Sequence, residues 1–288
     1  GVHGGDGVSV RAWKGRDLVV TSDSGGEVRI WDAAGGRLVR TFKSPADARA
    51  LALDPRGQFL STAPSDRPLL PRSMFLFDLA VPRMAEPAPL LESDANYIYH
   101  LATSPDGSWL ASSHGILTLL WNMTCPRSVV LGRQESPVVS FAADRHLLSG
   151  GLDGVLKRWP LDPAATADVE NIWSRPGGRS AQIVSVVLDV GGRAVVVRDL
   201  RDHKNFIVPL DGATAGNRSA SRQIPGADLR AGVPVWDPSG RWLAMFVFGG
   251  PEPNAIEIFD TVTGAERTLD TQPAAGGGCN EAGSQMSG

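Results

Sequence analysis

Cysteine is almost missing from this 288-residue chain: there are two, Cys125 and Cys279, and they lie 154 positions apart. Such a pair makes no disulfide framework and cannot supply a four-thiolate zinc site. Lysine is scarce too, with Lys14, Lys43, Lys157 and Lys204 the only four among 28 basic residues. Neither sign of charge is in surplus, since 31 acidic residues leave a formal net charge of −3. Nothing in that balance draws the chain to nucleic acid or to an anionic membrane. No apolar run approaches the roughly 18 to 20 residues of a membrane-spanning helix, and no charged-then-apolar leader opens the chain. The first residue is Gly1 rather than Met, so the chain can be a fragment or a processed product. A cytoplasmic location is the expectation, with export behind a lost leader as its alternative. Amphipathic helical patterning over about ten residues is lacking. The best stretch, 163–171, reads as a loop with at most one turn of helix.

Glycine and proline are what the chain has in quantity, 33 and 21. Together they make about 19 per cent, against an average nearer about 12. Eight Trp and nine Phe stand beside only two Tyr, and 42% of the residues are hydrophobic. The chain is long enough to bury a sizeable core. Its glycines and prolines recur in register. Asp54-Pro55-Arg56-Gly57 precedes Phe59-Leu60, Ser104-Pro105-Asp106-Gly107 precedes Trp109-Leu110, and Asp237-Pro238-Ser239-Gly240 precedes Trp242-Leu243. Looser copies stand at Lys14-Gly15-Arg16-Asp17, Ala143-Asp144-Arg145 and Val190-Gly191-Gly192-Arg193. Pro sets φ at the first corner of a turn and Gly tolerates positive φ, so each copy reads as a tight hairpin connection.

A second marker follows each turn: Trp31-Asp32, Phe77-Asp78, Trp121-Asn122, Trp159-Pro160, Val208-Pro209 and Phe259-Asp260. Successive anchors are 38 to 51 residues apart, 45.6 on average. Two independent markers with one period identify a repeat protein. Each repeat reads as a four-stranded antiparallel sheet with both faces packed on neighbours, the aromatic anchors filling the wedge between them. The fold expected is all-β, a propeller of about six four-stranded blades, complete or part of a larger seven-bladed or double propeller. The repeats span approximately 8–43, 44–93, 94–134, 135–177, 178–226 and 227–271 within a propeller of residues 1–271. Residues 272–288, with three consecutive Gly at 276–278, read as a flexible tail or linker.

At this point the chain resembles the WD-repeat β-propeller family. Ser149-Gly150-Gly151-Leu152-Asp153-Gly154-Val155-Leu156-Lys157-Arg158-Trp159 looks like the end of a WD repeat, as does Gly26-Glu27-Val28-Arg29-Ile30-Trp31-Asp32. The resemblance covers roughly residues 8 to 271, strongly in the first and fourth repeats and loosely in the fifth. One departure stands out. No repeat carries the Gly-His pair usual ahead of the first strand, so the network that this His makes with Ser, Asp and Trp is not expected in any blade. The Ser-Pro-Asp-Gly and Asp-Pro-Ser-Gly turns are also similar to those of TolB and of prolyl-oligopeptidase caps.

Catalytic chemistry finds little support. The five histidines, His3, His100, His114, His146 and His203, fall at different offsets within their repeats, which argues against a shared metal site. His114 and His146 read as turn residues. No HExxH, CxxC or other paired-ligand spacing occurs, and no Gly-x-Ser-x-Gly elbow joins a strand to a helix. Gly4-Gly5-Asp6-Gly7 and Gly191-Gly192 lack the helix and Lys of a phosphate cradle. Arg198-Asp199-Leu200-Arg201-Asp202 alternates in sign and reads as a solvated loop. No cofactor and no metal are expected.

Propeller geometry does nominate one constellation, because innermost strands surround a channel at equivalent positions. Ten residues before each turn marker stand Gly5, Asp47, Tyr97, Glu135, Gln182 and Arg230, and eight before stand Gly7, Arg49, Tyr99, Pro137, Val184 and Gly232. Tyr and Arg are enriched in interface hot spots, so Asp47, Arg49, Tyr97, Tyr99, Gln182 and Arg230 are the candidate partner-binding rim. The resemblance implies a non-catalytic scaffold or sensor module that binds a protein or peptide as a monomeric domain, without nucleic acid or membrane. An Arg-rich, Lys-poor composition suggests a GC-rich genome and a bacterial multidomain signalling protein. Two alternatives stay open. One is a lactonase-like or dehydrogenase-like propeller enzyme with a central metal, for which the ring offers only Asp47 and Glu135. The other is a periplasmic TolB-like or peptidase-cap propeller.

Overall fold

The computed structural model describes residues 9–13, 17–45, 47–48, 50–63, 73–79, 88–92, 98–124, 128–135, 138–142, 146–162, 169–175, 181–189, 191–210, 221–224, 230–231, 234–248 and 255–269. The chain divides into two compact units, residues 1–223 and 224–288.

The first unit holds five four-stranded antiparallel sheets, each built from four consecutive strands in meander order. The first comprises β1 (Ser9–Trp13), β2 (Leu18–Ser22), β3 (Glu27–Asp32) and β4 (Leu38–Lys43). The second is β5 (Ala50–Leu53), β6 (Phe59–Ala63), β7 (Ser73–Asp78) and β8 (Ala88–Glu92). The third is β9 (Ile98–Thr103), β10 (Trp109–His114), β11 (Leu117–Asn122) and β12 (Ser128–Arg133). The fourth is β13 (Val138–Phe141), β14 (His146–Gly150), β15 (Val155–Pro160) and β16 (Glu170–Ser174), and the fifth is β17 (Ile183–Leu188), β18 (Ala194–Asp199), β19 (Lys204–Pro209) and β20 (Arg222–Gln223). The innermost strands β1, β5, β9, β13 and β17 run as successive neighbours.

The hairpins between first and second strands follow the turn chemistry of the sequence. At Asp54, Ser104, Asp189 and Asp237 the residue three positions on donates its N–H back to the turn's first carbonyl, at 2.9 to 3.1 Å. That donor is Gly57, Gly107, Gly192 or Gly240, each at φ between 64° and 76°. The acidic side chain then accepts the next free N–H groups. Asp54 takes those of Arg56 and Gln58, at 3.1 and 2.9 Å, and Asp189 those of Arg193 and Ala194, at 2.7 and 2.9 Å. An Asx cap and a left-handed Gly fix the hairpin without help from elsewhere.

Both faces of the middle sheets are apolar because a neighbour covers each. Four cores fill the gaps between the five sheets, and each third-strand anchor sits on the side of the preceding sheet. Phe77 packs with Phe42, ring centroids 5.6 Å apart, Trp121 with Ile98 and Met74, Trp159 with Leu120 and Leu131, and Val208 with Leu156 and Trp173. The fit at Trp159 is close enough that a Cβ on Gly132, in β12, would come within 2.6 Å of its ring. Trp31 is the half-buried exception in this unit, because no sheet of the unit precedes the one that carries it.

The second unit contains one sheet of five strands: β21 (Arg230–Ala231), β22 (Val235–Trp236), β23 (Trp242–Phe248), β24 (Ala255–Asp260) and β25 (Glu266–Leu269). Its inner edge is split, with β21 and β22 both pairing to β23. Pro234 precedes β22, and proline has no N–H to give to a ladder. Phe259 and Leu243 are buried here, whereas Val235 is 62% and Trp242 39% exposed.

Three readings of local structure change. The run Arg198 to Asp202 is no solvated loop, since Arg198 and the fully buried Asp199 end β18. His114 ends β10 and His146 opens β14, so neither is a turn residue; the turn signals flanking them begin one position later and end one position earlier. Of the stretch read as a loop over 163–171, residues 163–168 lie outside the described residues, and Glu170 and Asn171 begin the edge strand β16. Residues 272–288 also lie outside the described residues.

Candidate functional site

Three blades carry a Trp whose indole N–H donates to a hydroxyl on the adjacent second strand. The pairs are Trp31 with Thr21 Oγ1 at 2.8 Å, Trp121 with Ser112 Oγ at 2.8 Å, and Trp159 with Ser149 Oγ at 2.7 Å. In the fourth blade a comparable polar network forms without a histidine. Gln134, the first residue after β12, reaches into this next blade. Its Oε1 accepts from the Ser149 hydroxyl, while its Nε2 donates to Asp153 Oδ1 at 2.9 Å and to the Val155 carbonyl at 2.7 Å. A glutamine thereby does what a histidine would. In the third blade the chain uses a histidine from another place: His114 Nε2 lies 2.8 Å from Ser112 Oγ.

The position after an outer strand recurs as a polar lock with different chemistry. Ser44 follows β4 and shares a hydrogen bond with Thr62 of the next blade, at 3.2 Å. Arg175 follows β16 and pairs with Asp199 Oδ2 at 2.5 Å and with Asp202. Asp199 is fully buried and its other oxygen accepts the N–H groups of Gln182 and Arg201, both at 3.0 Å. Burying a carboxylate is costly unless it is paired and hydrogen-bonded, and these donors provide that.

The rim residues are placed unevenly. Asp47 lies just ahead of β5 and is 8% exposed. Tyr99, the second residue of β9, is 49% exposed. Gln182 lies just ahead of β17 and is half-buried, its backbone held by Asp199 and by the N–H of Leu200, 2.8 Å away. Because β5 and β9 are neighbours, Asp47 and Tyr99 stand at adjacent strand starts, while Gln182 stands two inner strands beyond β9. Arg49 and Tyr97 lie outside the described residues, as does the side chain of Arg230. Glu135 is exposed. Among the described residues no three His, Cys, Asp or Glu side chains come together as ligands for a metal ion.

The opposite, turn-side ends of the inner strands enclose a cavity that the sequence did not indicate. It measures about 570 Å³ and is lined from β1, β5, β9 and β13, with Pro55 and Pro105 of the hairpins at its edge. Hydrogen bonds between blades hold its wall: Trp13 Nε1 to the Asp54 carbonyl at 2.8 Å, Thr103 Oγ1 to the Leu53 carbonyl at 2.5 Å, and Arg56 Nη2 to the Gly107 carbonyl at 2.7 Å. Arg11 lines it; the residue is exposed, and partial desolvation lowers its pKa from the ordinary arginine value. Burial, aided by the Arg11 charge, lowers His100 to about 4, and burial lowers His114 to about 4. Both imidazoles are therefore neutral near pH 7. Such a cavity has a signal in sequence only as an Arg in an innermost strand, which is indistinguishable there from a surface residue. In the second unit a separate, mainly apolar cavity of about 480 Å³ lies against Trp236, Trp242 and Arg267.

No family profile matches the chain, and no curated protein matches it by sequence. Among solved structures it is similar to the β-propeller domain of Cps50 (Swd1) from Myceliophteria thermophila, with a TM-score of 0.71 at 16% identity over 94% of this chain and 89% of that one. The chain is thus an all-β protein with the β-propeller fold. Its six sheets are the blades, and three of them carry the Trp-hydroxyl pairing that the WD-type repeat implies.

Proposed function

We propose that the protein is a non-catalytic interaction platform that binds a protein or peptide at the rim where the inner strands begin. The observation that carries the reading is Tyr99, a large amphipathic side chain left half exposed near the start of β9, the innermost strand of its sheet, which pairs with β10 alone. Tyr is suited to such anchoring because it adds contact area and a hydroxyl at the loss of few rotatable bonds. The likeness to the Cps50 (Swd1) propeller domain supports the platform reading through the fold alone. Asp47 and Gln182, with Arg49, Tyr97 and Arg230, complete the rim. The platform acts as a monomeric domain of a bacterial signalling protein in the cytoplasm, without nucleic acid or lipid.

The test is affinity capture with the intact chain and with Tyr99→Ala side by side. A protein retained by the first and lost from the second, at equal melting temperature, supports the rim. Capture that is indifferent to Tyr99 counts against it. Light scattering on the purified chain checks the monomer.

A further inference from the structure

We propose that the cavity at the turn-side ends of β1, β5, β9 and β13 binds a small amphipathic monocarboxylate, with Arg11 gripping the carboxylate. The site is distinct from the rim, which lies at the other ends of the same strands. At about 570 Å³ the cavity is the size of an organic ligand site rather than of a single ion or water. Leu53, Leu101, Pro55, Pro105 and Phe141 give it apolar walls, and among the described residues lining it Arg11 is the only charged side chain. The Arg11 guanidinium spends one N–H on the Val10 carbonyl, at 3.0 Å. Among the described residues no carboxylate pairs with it, which sets it apart from Arg29, Arg175 and Arg241, whose guanidiniums meet Glu27, Asp199 and Asp260.

Arg11 is solvent-exposed where it lines the cavity; a guanidinium there attracts a counter-ion, and its planar fork matches a carboxylate through two parallel hydrogen bonds. His100, near enough to Arg11 to feel its charge, is neutral at physiological pH and adds no second cation. One positive charge beside mixed walls, apolar at Leu53, Leu101 and Phe141, selects one negative charge on a partly apolar body. Ser140, from β13, supplies a hydroxyl to the same chamber.

Isothermal titration of the intact protein with phenylacetate and hexanoate, beside phenylacetamide, hexanamide and inorganic phosphate, tests the assignment. Saturable binding of at least one carboxylate is expected, with its amide and phosphate each at least tenfold weaker. Arg11→Met should weaken the carboxylate at least tenfold at an unchanged melting temperature, and Arg11→Lys should retain part of the affinity. Ser140→Phe, which keeps the charge but fills the chamber, should abolish binding. The assignment is overturned if neither carboxylate saturates, if the amide or phosphate binds as tightly, or if Arg11→Met binds like the parent. None of these results touches the partner reading, which concerns the other end of the strands.

Discussion

Gln134 shows how much one side chain can settle. It satisfies the Ser149 hydroxyl, Asp153 and the Val155 carbonyl together, and it is 3% exposed. Removing it leaves the Ser149 hydroxyl and the Val155 carbonyl short of a partner, and an unsatisfied buried polar group costs roughly 1 to 3 kcal/mol. Gln134→Ala should therefore lower the melting temperature by several degrees, and Gln134→His should recover part of the loss, both read by thermal melts followed by circular dichroism. At the equivalent positions stand Ser44 and Arg175. Three unrelated chemistries at one place explain why these locks were invisible in the sequence, where only a repeated residue type registers. The anchors were legible for the opposite reason. Phe77, Trp121, Trp159 and Val208 each fill a similar wedge toward the preceding sheet, so these anchors are all apolar and mostly large.

Among the elements, the hairpins were the most readable, because their conformation is dictated within four residues. Gly36 and Gly107 both adopt φ of 64°, yet they should respond differently to substitution. A Cβ at Gly36 meets no atom within 4 Å, whereas one at Gly107 would lie 2.2 Å from Asp54 Oδ1 and 2.7 Å from Arg56 Nε in the neighbouring hairpin. Gly36→Ala should cost only the left-handed backbone penalty, about 1 to 2 kcal/mol. Gly107→Ala should cost clearly more, since it also forces apart the Arg56 to Gly107 link between blades. Chemical denaturation of the two variants gives the comparison, and equal losses would show that the hairpins do not brace one another. Strands were less legible where polarity misled. Edge strand β16 opens with Glu170 and Asn171, which face solvent on a sheet edge and look like loop. The split inner edge of the sixth sheet likewise needed the fold to reveal it.

For the molecule as a whole, acid should act through histidine before it acts through most carboxylates. His100 and His114 take up a proton near pH 4 when folded but near 6.5 when unfolded. Between those limits the unfolded chain binds more protons, so stability is full above about pH 6.5 and declines as pH falls toward 4. The melting temperature should drop between pH 7.5 and 5, and His114→Gln should reduce that drop while keeping a partner for Ser112. A pH-independent melting temperature over this range would contradict the burial of both rings.

The period of 45.6 residues made the propeller legible, since length divided by period gives about six blades. The cavity was not legible, because it arises only when four inner strands converge. The rim lies between these cases: its positions follow from counting, and its chemistry follows from which side chains the fold leaves exposed. Tyr99 is the described residue for which both agree. The most direct test of the platform reading is the affinity of a captured partner for the parent chain and for Tyr99→Ala, measured by titration. Loss of a hot-spot Tyr should weaken binding at least tenfold, about 1.4 kcal/mol or more, at an unchanged melting temperature. Equal affinities for the two proteins would contradict the placement of the interface at the rim.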